Sequence, residues 1–166
     1  MKNYNSIQEK IISSWLLKDK LFWTLFPSIF LFDQITKYLV YKNLALGQSI
    51  PDDFIIKITY ARNTGTAFSL FSSYGSLLLI ISIFVAVFFT IYFLMIEKPK
   101  VTMRLFISLV VAGALGNIID RVRFGYVNDF IDVGFWPIFN IADSSISIAL
   151  TIYFIDLIFL NKKNED

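Results

Sequence analysis

The chain has 166 residues, 56% of them hydrophobic and 17% aromatic, with fifteen Lys and Arg against thirteen Asp and Glu. A mean hydropathy of +0.64 places it among membrane chains. It contains no histidine and no cysteine. Ser-His-Asp and Cys-His catalysis, His- or Cys-ligated zinc and haem, and disulfides are therefore excluded, which leaves carboxylate chemistry, a Ser-Lys pair, or no chemistry.

The leader, residues 1–20, places Ile7, Ile11, Ile12, Trp15 and Leu16 on one helical stripe. Charges interrupt any apolar signal core, and no small-residue cleavage pattern follows. A helix lying on the cytoplasmic membrane surface and a disordered leader fit this segment about equally.

A span needs about 20 apolar residues, and four windows approach that length: residues 21–41, 74–96, 105–119 and 141–160. The first holds Asp33 and Lys37, four apart on one helical face, where they either neutralise each other or act directly. Beyond it, Phe54, Ile56, Ile58 and Tyr60 alternate before a turn at Asn63-Thr64-Gly65. That pattern predicts a small outer strand, for which residues 125–133 supply a partner. The second window carries no charge, and the third is short and rich in small residues. Four spans leave too little chain for a separate soluble catalytic domain. The expectation is an all-α membrane protein: a single-domain, four-transmembrane-helix bundle with a small extracytoplasmic β segment.

Basic residues favour short cytoplasmic segments. With an even number of spans both termini share a side, and that side holds nine of the fifteen: Lys2, Lys10, Lys18, Lys20, Lys98, Lys100, Arg104, Lys162 and Lys163. Both ends are thus expected in the cytoplasm, and Asp33, Asp52, Asp53, Asp120, Asp129, Asp132 and Asp143 fall at or beyond the outer end.

Each acid has an ordinary explanation. Asp120 stands beside Arg121 and Arg123 and reads as solvated or locally paired. Asp132 alternates with apolar residues in an outer strand and is expected to face water. Asp143 follows Asn140 by three, the spacing of a helix cap and its third-residue acid. Against these explanations stands convergence. Gly113, Asn117 and Asp120 share a face at the outer end of the third span, Asp129 lies in the outer segment, and Asn140 and Asp143 open the fourth. Small residues such as Ala112 and Gly116 let helices approach closely there. Two acids brought together at the hydrocarbon boundary cannot both ionise cheaply and tend to share one proton. An aspartyl protease uses that state.

The blocks "FDQITK" around Asp33, "RNTGTAFS" from Arg62, "GALGNIIDRVRFGYVNDFID" from Gly113 and "FNIADSS" from Phe139 resemble the lipoprotein signal peptidase (signal peptidase II) family. They occur in the family's order and run from Asp33 to about Ser145. The resemblance implies a bacterial inner-membrane aspartyl endopeptidase that removes signal peptides from lipid-modified prolipoproteins, before the diacylglyceryl-cysteine. Its catalytic pair maps onto Asp129 and Asp143, with polar support from Asp33, Lys37, Asn63, Asn117, Arg121 and Asn140. No metal or other cofactor and no nucleic-acid partner are expected. Prolipoproteins and membrane lipids are the expected partners of a monomer. Two departures concern loop shape: the interval from Asp129 to Asp143 is short and the leader is long. The rival classes are an ion- or proton-coupled transporter, which would carry its carboxylates near the bilayer midplane, and a Ser-Lys peptidase using Ser144 or Ser145 with Lys37.

Overall fold

The computed structural model describes residues 15–51, 53–65, 75–97 and 99–160. A single turn, α1 (Trp15–Lys18), leads into α2 (Lys20–Asn43). Asp19 between them caps α2, accepting from the Phe22 backbone N–H at 2.7 Å, and also pairs with the Arg104 guanidinium. The leader residues Ile7, Ile11 and Ile12 lie outside the described residues.

Three further helices follow: α3 (Gly75–Met95), α4 (Val101–Phe124) and α5 (Ile141–Ile155), the last continuing as a π-helical turn over Asp156–Leu160. Among the described residues three helical segments, Ser76–Met95, Val101–Phe124 and Ile141–Phe159, are long and apolar enough to cross a membrane. Helix α2 has 24 residues and rises about 36 Å, but Asp33 and Lys37 lower its hydropathy. The third window extends four residues earlier and five later than residues 105–119, because Arg104 at one end and Asp120, Arg121 and Arg123 at the other belong inside the helix.

The central helix is α4, packed against α2, α3 and α5 and buried from Phe106 through Asp120. Lipid is as apolar as leucine, so the bundle is held by close packing and polar contacts more than by burial from water. Two glycines permit that closeness. A methyl at Gly113 would lie 2.5 Å from the Ala142 carbonyl oxygen, and one at Gly116 would lie 2.5 Å from Asp33 Oδ2. An apolar cluster of Phe22, Phe93, Phe106, Ile107 and Val110 fills one end of the bundle. Toward the other end Val40 and Leu44 of α2 pack under Tyr60 and Phe130.

Those two aromatics belong to a three-stranded antiparallel sheet in the order β1 (Ser49–Ile50), β2 (Lys57–Asn63), β3 (Val127–Asp132). The expected pairing of the two outer segments is therefore present, with Ala61 opposite Asp129 and Asn63 opposite Val127. The strand begins at Lys57, so Phe54 and Ile56 of the alternating run precede it and are exposed. A register break between Ile58 and Ala61 re-aims the end of β2, and Asn63 reaches Asp129.

Candidate active site

Helix α2 presents Asp33 and Lys37 one turn apart to α4, where Asn117 and Asp120 are likewise neighbours on one face. All four are buried. Lys37 Nζ lies 2.8 Å from Asp33 Oδ2 and 3.4 Å from Asp120 Oδ2 and donates to Asn117 Oδ1 at 3.0 Å. An ammonium only donates, so the Asn117 atom it meets is the carbonyl oxygen. The Asn117 amide nitrogen is thereby turned toward Asp143, donating to Oδ1 at 2.8 Å.

Helix α5 opens with a capping box: Asn140 Oδ1 accepts from the Asp143 N–H at 2.9 Å and the Asn140 N–H donates to Asp143 Oδ2 at 3.4 Å. The N–H between them, that of Ala142, donates to Asp33 Oδ1 of α2 at 2.9 Å. Asn140 Nδ2 reaches outward, donating to Asp129 Oδ1 at 2.6 Å and to Asn117 Oδ1 at 3.2 Å.

Asp129 Oδ2 accepts from Asn63 Nδ2 at 2.9 Å. The other end of that amide is fixed by the turn expected there, since Asn63 Oδ1 accepts from the Gly65 N–H at 3.0 Å. Burial first, then the Asp143 charge, push the Asp129 carboxyl up to about 7, against the donation from Asn63 and Asn140. Two carboxylates are thus held by the side-chain amides of Asn63, Asn117 and Asn140, with Asn140 reaching Asp129 through its side chain and Asp143 through its backbone N–H.

A cleft of about 300 Å³ opens beside them, lined by Asn63, Leu78, Arg121, Trp136, Phe139 and Asp143. Arg121 lies within electrostatic reach of Asp143, Asp129 and Asp120. Gly113 touches no carboxylate and instead lets α5 approach α4.

Three expectations change. Asp120 is not solvated or paired with its sequence neighbours; it is 2% exposed and accepts from the Asn128 N–H at 2.9 Å besides facing Lys37. Its partners are distant in sequence, so local charge was a poor guide. Asp132 is half-buried rather than water-facing, because the Gly134 N–H and the Thr59 hydroxyl bind it at 2.9 and 2.8 Å and hold it below the usual carboxylate range. The serines donate to backbone carbonyls, Ser144 to Asn140 and Ser145 to Leu109 and Ala142. Lys37 is committed to two carboxylates and an amide, so no Ser-Lys pair forms. The outer segment over residues 66–71 lies outside the described residues.

Two participants escaped the sequence reading. Gln34 donates weakly to Asp33, Asp120 and the Gly116 carbonyl at 3.2–3.4 Å, and its adjacency to Asp33 was the available signal. Asn128 precedes Asp129, where strand alternation alone places it on the other face.

An apolar helical bundle that buries paired carboxylates at one end, beside an open cleft, belongs to the class of integral membrane proteins built for polar chemistry at the membrane boundary. Residues 25–159 match the family model described as signal peptidase (SPase) II. A lipoprotein signal peptidase of Thermodesulfovibrio yellowstonii is 45% identical over 135 residues, covering 75% of this chain and 86% of that one. The enzyme of the same description from Staphylococcus aureus is 37% identical over 147 residues, covering 83% and 89%. A bacterial membrane enzyme solved in meso at 2.3 Å superposes with a TM-score of 0.77 at 35% identity, over 87% of this chain and 91% of that one. The chain belongs to the signal peptidase II family, which sets the transporter expectation aside.

Proposed function

We propose that the chain removes the signal peptide from lipid-modified prolipoproteins, cutting before the diacylglyceryl-cysteine, with Asp129 and Asp143 as an aspartyl dyad. It is a membrane protease of the signal peptidase II type. The observation that carries the dyad is the held pair itself: Asn140 donates to the Asp129 carboxylate through its side chain and to the Asp143 carboxylate through its backbone N–H, and burial favours one shared proton.

In the first step the ionised carboxylate takes a proton from water while the protonated one gives its proton to the scissile carbonyl oxygen. Water oxygen bonds to carbon, yielding a neutral tetrahedral intermediate. In the second step the C–N bond breaks, the nitrogen collects a proton from the pair, and the carbonyl reforms as the pair takes back the proton from oxygen. Arg121 on the cleft wall and Asn63 beside Asp129 are placed to orient substrate carbonyls, and Lys37, Asn117 and Asp33 orient the acids. The chain crosses the bacterial membrane four times, α2 included, with both termini cytoplasmic and the pair outside, and works as a monomer among lipids.

This orientation is checked in intact cells with single cysteines, which have no native background. Position 52 is expected to react with an impermeant thiol reagent and position 100 to stay protected; the reverse pattern would invert the topology.

Substrate choice tests the function. A carboxylate pair at the boundary meets a scissile bond only at the same depth, and a diacylglyceryl group fixes a cysteine there, each buried methylene contributing about 0.8 kcal/mol. Lost freedom is then met before chemistry begins. Purified protein given lipidated and unmodified precursor at equal membrane density is expected to cleave the lipidated one far faster, with the signal peptide seen by mass spectrometry. Equal rates would mean the lipid is not read.

A further inference from the structure

Asn128, a buried polar side chain beside Asp129, is left without a task by the mechanism. It is 3% exposed. Its backbone N–H and its Nδ2 both donate to one oxygen, Asp120 Oδ2, at 2.9 and 3.3 Å. Its own Oδ1 is buried and, among the described residues, has no partner. A buried acceptor left unpaired is unfavourable, and an apolar side chain of the same shape would remove that cost. The orphan oxygen is a cost that the 3.3 Å side-chain bond to Asp120 offsets, and the balance turns on what that bond does for Asp120.

Its effect runs through what Asp120 touches. Asp120 Oδ2 also faces Lys37 Nζ at 3.4 Å, longer than the 2.8 Å between Lys37 and Asp33. Two N–H donors from Asn128 already satisfy much of that oxygen, so the ammonium stays close to Asp33 and keeps its 3.0 Å bond to Asn117 Oδ1. Asn117 in turn aims its amide at Asp143. Removing the Asn128 amide leaves Asp120 short of a donor, and its attraction for Lys37 grows at the expense of Asn117.

We infer that Asn128 is a positioning residue: it pins β3, and with it Asp129, to Asp120, and through Asp120, Lys37 and Asn117 ties the seat of Asp129 to the orientation of Asp143. This rests on the reading of Asp129 and Asp143 as the reacting pair.

The test compares full-length wild type, Asn128→Leu, Asn128→Thr, Asp129→Asn and Asp143→Asn, each purified and given a lipid-modified prolipoprotein. Leucine keeps the branching and removes both the donor and the orphan oxygen; threonine keeps a hydroxyl donor. Asn128→Leu is expected to melt close to the wild-type temperature, because loss of the 3.3 Å bond to Asp120 and removal of the orphan oxygen oppose each other, with an unchanged KM, while kcat falls roughly tenfold, the scale of one lost hydrogen bond to a charged group. Asn128→Thr is expected to stay within about threefold of wild type in kcat. A wild-type kcat in Asn128→Leu, an equal loss in Leu and Thr, or a lowered melting temperature that accounts for the loss would each overturn the positioning role. Turnover in Asp129→Asn or Asp143→Asn would sink the dyad and this inference together. Dead dyad variants beside a fully active Asn128→Leu would sink the inference alone.

Discussion

Asp129→Asn and Asp143→Asn are each expected to lower turnover by at least about a thousandfold, with the double variant little worse than either single, because groups acting as a unit fail together. An amide cannot accept the water proton, yet it keeps the shape of the carboxylate. Folding should persist, since the one side-chain oxygen left at position 129 still accepts from one of the two donors, Asn63 or Asn140, and the volume is unchanged. Asp132→Asn is the control. It loses bonds to Gly134 and Thr59 at the far end of β3 and should have a mild effect. The pH profile follows from the same pair. The charged groups facing Asp129 are Asp143 of α5, Lys37 of α2 and Arg121 of α4, with Asp120 of α4 beyond Lys37. With its carboxyl pushed up to about 7, the shared proton leaves as pH rises through that value and activity falls on the basic side. Activity falls again in acid, where both carboxylates are protonated. Substantial turnover in either dyad variant, or a profile flat across that range, would falsify the assignment.

Lys37→Met is expected to give the largest loss of stability. The ammonium faces Asp33 and Asp120, both 2% exposed or less, and a methionine of similar length leaves two buried acids without a counter-charge. Breaking a buried pair by removing one partner costs about 3–5 kcal/mol. The melting temperature in detergent should drop steeply, and adding Asp33→Asn should recover part of the drop, because it removes one of the two stranded charges. Unchanged melting in Lys37→Met would mean that the acids are neutral without it and that the network is not held by charge. Activity should fall with stability, since Asn117 loses the donor that fixes its amide.

The helices were legible because lipid demands long apolar runs, and the window at residues 74–96 coincides with α3 to within a residue at each end. The central helix was read too short. It is buried on all sides, so it shows no amphipathic stripe, and its polar end looks like a loop until its partners are known. The two outer strands were visible in the alternation and turn around Asn63, whereas the two-residue β1 is too short to leave a pattern. Among the acids, Asp143 was legible as the third-residue acid of a helix cap at Asn140, and it fills that place in a capping box. The Asp33–Lys37 neutralisation was legible from spacing and is present. Asp120 was misjudged because Arg121 and Arg123 are near in sequence, while Lys37 is near only once α2 and α4 have packed. Asn128 was missed for the same reason: its partner lies on a different element, and an asparagine in a strand carries no signal of a buried carboxylate behind it.

One contact at the head of the last helix bears on how the protein comes to exist. The second amide of α5 has no acceptor within its own helix and takes one from Asp33 of α2, far upstream in the chain. Away from water an unmet N–H costs several kcal/mol, so the first long helix at its side stabilises the head of the last one. During synthesis these two segments emerge at opposite ends of the process, and the gap between them closes only when nearly all of the chain has been made. The bond of Asp143 to Asn117 likewise waits until α5 has packed against α4. Until both helices have packed, the Ala142 amide lacks its Asp33 acceptor and Asp143 lacks the Asn117 donor.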